Sequence, residues 1–242
     1  MIYFMGDIHG KFEHVIEFVQ RDRPDAIVLL GDMECDFPLH AVLAPIRALT
    51  EIWYIHGNHD TDQAASWQFL VESELADRNL HGRVANVAGV KVAGLGGVFR
   101  AEVWNPPEPA HYASYREFER KNKRSRHKEI NPAQEGRFLK HRSTIFPDDY
   151  AALMKQRADI LVTHEAPSCH PHGAVALDTL ARSMRVQTLF HGHHHDCLDY
   201  SAWSRENGIN AFGVGLRGIT DEHGTTILAG ELDEPRRSER SG

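Results

Sequence analysis

The sequence predicts an α/β domain built around a parallel sheet, and three observations carry that expectation. Short apolar runs of four or five residues recur along the chain, each closed by glycine or a polar cluster, which is the pattern of buried strands. Amphipathic stretches of helical period separate the first of these runs. A length of 242 residues suits one domain with a sizeable core.

Taken in order, Ile2–Met5 and Ala26–Leu30 each read as a strand ending in Gly-Asp, and Ile52–Ile55 as a strand ending in His56-Gly57-Asn58-His59-Asp60. Between the first two, Phe12, Val15, Ile16 and Val19 fall on one helical face. Pro38–Leu49 and Gln63–Leu75 are further helix candidates. This βαβαβ rhythm implies parallel strands with crossover helices. Val84–Leu95 around an Ala88-Gly89 turn reads as a β-hairpin. A long interruption from about Val98 to Tyr150 begins with Pro106, Pro107 and Pro109. The sheet pattern resumes at Ile160–Val162, ending in Thr163-His164. A helix over Ala174–Met184 follows, and then Thr188–Phe190, ending in His191-Gly192-His193-His194-His195. Ile209–Val214 and Thr225–Leu228 read as closing β segments. We expect a single domain over residues 1–230 with an inserted segment at about 98–150, and a polar, disordered tail over 231–242.

Composition narrows the function classes. Apolar residues make up 41% and charged residues 25%, which excludes a disordered or collagen-like chain, and the net charge of −7 excludes a generally basic polyanion binder. No apolar run approaches the roughly 20 residues that span a bilayer, and the first ten residues turn polar too soon for a signal peptide. Three cysteines (Cys35, Cys169, Cys197) are sparse and odd in number, so reduced thiols in a cytoplasmic protein are expected. Histidine is abundant, with 17 in the chain, which points to metal or acid–base chemistry.

Five polar clusters each sit at the carboxyl end of a predicted strand: Gly6-Asp7-Ile8-His9-Gly10, Gly31-Asp32, Gly57-Asn58-His59-Asp60, Thr163-His164 and Gly192-His193-His194-His195. That edge of an open α/β sheet is where loops converge to build sites. Asp7 and His9 are two apart, as are His193 and His195, so in an extended segment each pair would point the same way. Two Asp, one Asn and four His form an O/N donor set that suits Mn, Fe, Zn or Ni.

These clusters resemble the signature of the calcineurin-like metallophosphoesterase family, D-x-H, G-D, G-N-H-[DE], H and G-H-x-H in that order. The resemblance covers Met1 to about Leu228, with the 98–150 segment outside it. It implies a four-layer αββα sandwich of the metallophosphoesterase type, carrying two divalent transition-metal ions, with Mn foremost and Fe, Zn or Ni as alternatives. Carried over by position, Asp7, His9, Asp32 and His195 would hold one metal. Asp32, Asn58, His164 and His193 would hold the other, with Asp32 bridging. The implied activity is hydrolysis of phosphate esters by a hydroxide between the metals, with His59 as the catalytic histidine that protonates the leaving oxygen or stabilises the transition state. Electrostatics agrees, since two cations ~3.5–4 Å apart need a shared anionic ligand. Asp60 would orient the loop or neighbouring imidazoles. His56, His191 and His194 flank the ligands, as local packing or hydrogen bonding to them would explain. The three cysteines read as buried thiols rather than ligands, and His14, His40, His81, His127, His141 and His223 as surface residues.

Two departures bear on substrate. Protein Ser/Thr phosphatases of the family carry G-D-x-x-D-R, but here Cys35 stands at the second Asp and Asp36 at the Arg. His56 likewise replaces an arginine before G-N-H. The partner that orients His59 and the phosphate clamp are therefore both missing from their usual places. A diester or nucleotide is favoured over a monoester, in line with the family's diesterase and nuclease branches, which Gly94-Leu95-Gly96-Gly97 resembles. The alternatives are a Ser/Thr-type protein phosphatase and a non-catalytic metal-binding scaffold that binds partners; the scaffold fits poorly with ligand positions that are all filled. Within the insertion, Arg116–Arg142 holds ten Lys/Arg against four Glu. With Tyr112, Tyr115 and Phe118 just before, it reads either as a solvated helical face or as a basic lid or rim whose Lys121, Lys123, Arg124 and Arg126 draw in a phosphorylated substrate, nucleotide or nucleic acid. No membrane partner is expected.

Overall fold

Alternate residues of the first strand face two different cores. In β1 (Ile2–Met5), Ile2 and Phe4 point into one apolar cluster while Met5 joins another, and in β2 (Ala26–Leu29) the pairs Ala26/Val28 and Ile27/Leu29 divide in the same way. A strand buried on both faces has no polar side to show, which is why these runs read as continuously apolar. The computed structural model describes residues 1–123 and 132–233.

β1, β2 and β3 (Glu51–Tyr54) pair in parallel. β9 (Ile219–Asp221) runs antiparallel to β1 and β10 (Thr226–Leu228) lies outside it, giving the order β10-β9-β1-β2-β3. The second sheet has the order β4-β5-β6-β7-β8. It opens with the expected hairpin, β4 (Arg83–Val87) and β5 (Val90–Leu95), and continues in parallel through β6 (Ile160–Thr163), β7 (Thr188–His191) and β8 (Asn210–Gly213). The inner faces meet in one core, where the Phe4 and Phe190 rings stack with centroids 3.8 Å apart. Each such fully buried side chain contributes about 1.5–3 kcal/mol.

Helices close both outer faces. α1 (Glu13–Asp22) buries Val15, Phe18 and Val19 against the first sheet, joined by Leu70 of α3 (Ala64–Val71). α6 (Pro147–Met154) and α7 (Val175–Met184) cover the second sheet through Leu153, Leu177, Leu180 and Met184. The result is the expected helix–sheet–sheet–helix sandwich.

Several boundaries differ from expectation. The helix expected over Pro38–Leu49 is only α2 (Leu39–Val42) followed by turns. Pro45 supplies no N–H and disfavours helical backbone at Ala44 before it. The next helix stops at Val71 rather than Leu75. β9 and a short helix, α8 (Ser201–Asn207), have no counterpart in the sequence reading. Residues 231–233 belong to the fold and not to a tail. The Glu231 N–H donates to Leu216 O, its carboxylate pairs with Arg217, and Asp233 accepts from the N–H groups of Cys197 and Gly230. The rest of that segment, 234–242, lies outside the described residues.

The insertion carries α4 (Tyr115–Asn122) and α5 (Pro132–Lys140) around its own small core of Val103, Phe118, Phe138 and Phe146. Phe118 is fully buried there, with Tyr112 and Tyr115 packed against it. His141, expected at the surface, is buried, with Nδ1 3.0 Å from Thr144 Oγ1 and Nε2 3.0 Å from Glu102. Lys121 and Lys123 pair with Glu117 and Glu119 one helical turn back. Arg124, Arg126 and His127 lie outside the described residues. No helix among the described residues is long and apolar enough to cross a membrane.

Candidate metal centre

Parallel pairing brings the carboxyl ends of β1, β2 and β3 to one edge, and those of β6 and β7 to the corresponding edge of the other sheet. The loops leaving these ends carry every ligand expected from the sequence. Asp7, His9, Asp32 and His195 bring donor atoms within 4.8 Å of one another, and so do Asp32, His164 and His193. Asn58 completes the second group, its Oδ1 3.0 Å from His164 Nε2. The facing Nε2 atoms of His9 and His195 are 3.0 Å apart.

Asp32 belongs to both groups. Its Oδ1 accepts the His59 N–H at 2.8 Å. Its Oδ2 is buried and makes no well-directed hydrogen bond, lying 3.3 Å from His164 Nε2 and 3.9 Å from His9 Nε2. A buried carboxylate oxygen left in this state is costly, and a shared cation ligand is the role that satisfies it. The chemistry of the donor set thus fits a pair of divalent ions. Neighbouring groups aim the ligands. His164 Nδ1 lies 2.8 Å from Leu30 O, a pure acceptor, so the ring donates there and turns Nε2 toward Asp32. Both Asp7 oxygens accept the His193 N–H at 3.0 Å.

The convergence has a different backbone origin from the extended alternation expected for Asp7/His9 and His193/His195. Asp7 (φ 28°), His9 (44°), Asp32 (50°), His193 (70°) and His195 (62°) all lie in the left-handed region. That region is uncommon for non-glycine residues and tends to be held at functional sites. Two glycines make room beside them. A Cβ on Gly57 would fall 2.1 Å from Asp32 Oδ1, and one on Gly31 (φ +107°) 2.4 Å from His164 Nδ1.

Protonation follows from burial and from the Asp32–His164 contact. Burial raises the Asp7 carboxyl to about 7, with the Asp32 charge adding to the effect against His164. Burial also opposes charge on Asp32 and His164, but their mutual attraction outweighs it. Asp32 is held well below the usual carboxylate range and His164 rises to about 10. Burial lowers His193 to about 4 and also lowers His195, keeping both imidazoles neutral as metal ligands must be.

His59 stands at the rim of this centre, partly exposed, its ring centroid 5.5 Å from that of His9. Its partner is one the sequence motifs do not mark: Asp62 Oδ2 lies 2.7 Å from His59 Nδ1, with Glu34 Oε1 at 3.7 Å. Burial would lower the His59 pKa, but the Asp62 hydrogen bond and the surrounding carboxylates raise it. Glu34 also reaches His9 Nδ1, at 3.3 Å. The three-residue spacing of His59 and Asp62 is a usable signal, whereas Glu34 stands beside Cys35, whose buried thiol occupies the family's carboxylate position. Asp60 is fully buried and accepts the N–H groups of Gly57 and Glu34 at 2.8 and 2.9 Å, so of its two expected roles it takes that of holding the loops. Of the flanking histidines, His56 is buried beside Trp67 and His81, His191 bonds Tyr200 at 3.1 Å, and His194 stacks on His170 at 3.7 Å. Glu165 faces His193 and His194 from 4.0 and 3.9 Å.

The insertion is fastened to the loop bearing Asn58 and His59. Thr61 Oγ1 lies 2.6 Å from Ser143 Oγ and donates to Asn58 O at 3.0 Å. Arg100 Nη1 donates to Ser143 O and Thr144 Oγ1, both at 2.8 Å. This half-buried guanidinium interacts electrostatically with Asp62, Glu165 and Asp32, and no sequence motif marks it.

Comparison with known proteins agrees with this architecture. An uncharacterized protein of Haemophilus influenzae is 36% identical over 238 residues, spanning 94% of this chain and 96% of its own length. The crystal structure of TT1561 of Thermus thermophilus shares the fold, with a TM-score of 0.56 at 15% identity, over 95% of this chain and 97% of that one. A second solved structure matches with a TM-score of 0.53 at 14% identity, over 95% and 98%. The sequence profile of the family described as calcineurin-like phosphoesterase matches residues 1–197. With that match over most of its length and its ligand-bearing loops gathered at one edge, the chain belongs to the calcineurin-like phosphoesterase family.

Proposed function

We propose that this chain hydrolyses phosphate esters at two divalent cations, one held by Asp7, His9, Asp32 and His195 and the other by Asp32, Asn58, His164 and His193. A diester or nucleotide is the preferred substrate on this reading. The observation that carries it is Asp32, common to both donor groups, with its buried Oδ2 left without a well-directed hydrogen bond. Such a pair, when bound, lowers the pKa of water toward neutrality and offsets charge on phosphoryl oxygens. The chain's own groups supply the rest. Asp62 holds His59 Nδ1 and thereby orients Nε2 to give a proton to the leaving oxygen. Arg100 adds one positive charge, which suits the single charge of a diester better than a dianionic monoester; Asp36 and His56 stand where related protein phosphatases carry arginines.

The test is paired hydrolysis of bis(p-nitrophenyl) phosphate and p-nitrophenyl phosphate by Mn²⁺-supplemented protein, with metal content measured on the same sample. About two metal ions per chain and faster turnover of the diester are expected. Faster monoester turnover overturns the substrate preference, and a protein that takes up no metal and turns over neither ester is the scaffold instead.

A further inference from the structure

A cavity of about 670 Å³ opens beside the metal centre, walled by Phe99, Trp104, Pro106, Tyr150, Glu165 and His172 among others. That volume lies within the ~300–1,000 Å³ typical of small-molecule sites. The rings are fixed in place. Trp104 packs edge-on against Phe99 (centroids 5.4 Å apart) and Tyr150 (5.2 Å), and its Nε1 donates to Glu108 O at 3.2 Å. Tyr150 donates its hydroxyl to Ala176 O at 2.8 Å. A wall held this firmly loses little entropy when a flat group stacks on it.

Glu165 joins the cavity to the centre. It follows the ligand His164 directly, its Oε1 is 4.0 Å from His193 Nε2, and its Oε2 accepts the Phe99 N–H at 3.3 Å. His172, on the same wall, has its ring 6.1 Å from that of His194. A phosphate at the metal centre would therefore have this cavity as the neighbouring space for one of its ester groups. The walls choose the group. Aromatic faces favour a planar ring, and the Glu165 carboxylate accepts hydrogen bonds from amino or hydroxyl groups while repelling a second phosphate.

We propose that the cavity binds the nucleoside end of a phosphate ester, with the base against Trp104 and a hydroxyl or amino donor on Glu165. This deepens the phosphoesterase reading above and rests on it for the position of the phosphate.

The experiment compares adenosine 5′-monophosphate with ribose 5-phosphate, which differ only in the base, by calorimetric titration of the Mn²⁺-supplemented protein. Base–aromatic stacking predicts roughly 5- to 150-fold tighter binding of the nucleotide. The ratio should collapse to about twofold in Trp104→Ala. Because Trp104→Ala also removes packing within the insertion, Val175→Glu is the second variant. Val175 is exposed at the cavity rim on the first turn of α7, where a carboxylate suits the helix but disfavours a ring nearby. Equal affinity for the two ligands in the unaltered protein overturns the proposal, as does a ratio that survives both variants. Diester turnover without base preference retires the cavity and leaves the phosphoesterase reading standing. Base preference without turnover retires that reading and keeps the cavity.

Discussion

Nδ1 of His59 lies 2.7 Å from Oδ2 of Asp62, at the end of the short 3₁₀ turn His59–Thr61. The carboxylate expected to orient this histidine would come from the position of Cys35, on a different loop. Here the orienting group comes from the histidine's own loop instead. Asp62→Ala should therefore lower kcat about 10- to 100-fold, part of the ~10²–10⁴ that general acid catalysis provides. Because Asp62 is mostly exposed, stability should change by no more than about 0.5 kcal/mol, and metal content should stay constant. Steady-state kinetics beside metal analysis checks this. Unchanged kcat would remove Asp62 from the mechanism.

Asp32 is the position where one substitution should affect both metals. Asp32→Asn keeps the shape and the Oδ1 acceptor for the His59 N–H, but gives up the charge shared by the two donor groups. We expect at least about a 100-fold loss of turnover, the scale on which electrostatic stabilisation of the transition state is lost, together with bound metal falling below two per chain. Retained turnover in this variant would falsify the two-metal assignment.

The strand ends, and the seven candidate ligand positions that the fold gathers at one edge, are legible in the sequence because each lies where an apolar run stops, a local signal. The division into two sheets is legible only through the family resemblance and not in the local pattern, because strands buried on both faces look alike whether the next layer is a helix or a sheet. β9 leaves no mark because three residues are too short to show a period. The turn that aims Asp7 and His9 departs from expectation for a related reason. Two-residue spacing reports direction only in extended backbone, and positive φ at Asp7 and His9 cannot be read from an Asp-Ile-His string. Arg100 and Glu165 depend on how the insertion folds back across the loops, which no local pattern encodes.

Protons and metal ions compete for these ligands, and the sign is fixed. Burial raises the Asp7 carboxyl from 3.8 to about 7, and the Asp32 charge raises His164 from 6.5 to about 10 against its burial. Each is a folded-state pKa above its unfolded value. The stability the proton provides to metal-free protein is therefore complete below the unfolded pKa and fades as pH rises, through about 7 for Asp7 and about 10 for His164. Asp32 is shifted the other way, and its contribution is lost only in acid. Metal binding needs these protons gone, so Mn²⁺ should raise Tm more at pH 8 than at pH 6. Each tenfold gain in affinity adds ~1.4 kcal/mol, or about 3–6 °C for a chain of this size. Calorimetric scans with and without Mn²⁺ at both pH values read the difference. A larger metal effect at pH 6 would contradict the assignment.

Two sources of positive charge, the insertion's helix and Arg100, should be separable by salt. Lys121 and Lys123 are exposed and already paired with Glu117 and Glu119, so they act on substrate only through a field that salt screens. Arg100 is half-buried, held by Ser143 and Thr144, and in electrostatic contact with Asp32, Asp62 and Glu165. Its influence at close range is screened much less. Neutralising both lysines to Gln should raise KM by no more than about threefold at about 50 mM salt, an effect that disappears at about 0.5 M. Arg100→Ala should raise KM about 10- to 100-fold, as loss of a charge-assisted hydrogen bond of about 1.5–3 kcal/mol implies, and the increase should persist at high salt. Arg100→Lys, which keeps charge but not the forked donors, should recover only part of it. If the lysine variant carries the larger and salt-resistant effect, phosphate is gathered by the insertion's basic helix and not by the loop that leads from β5 toward the centre.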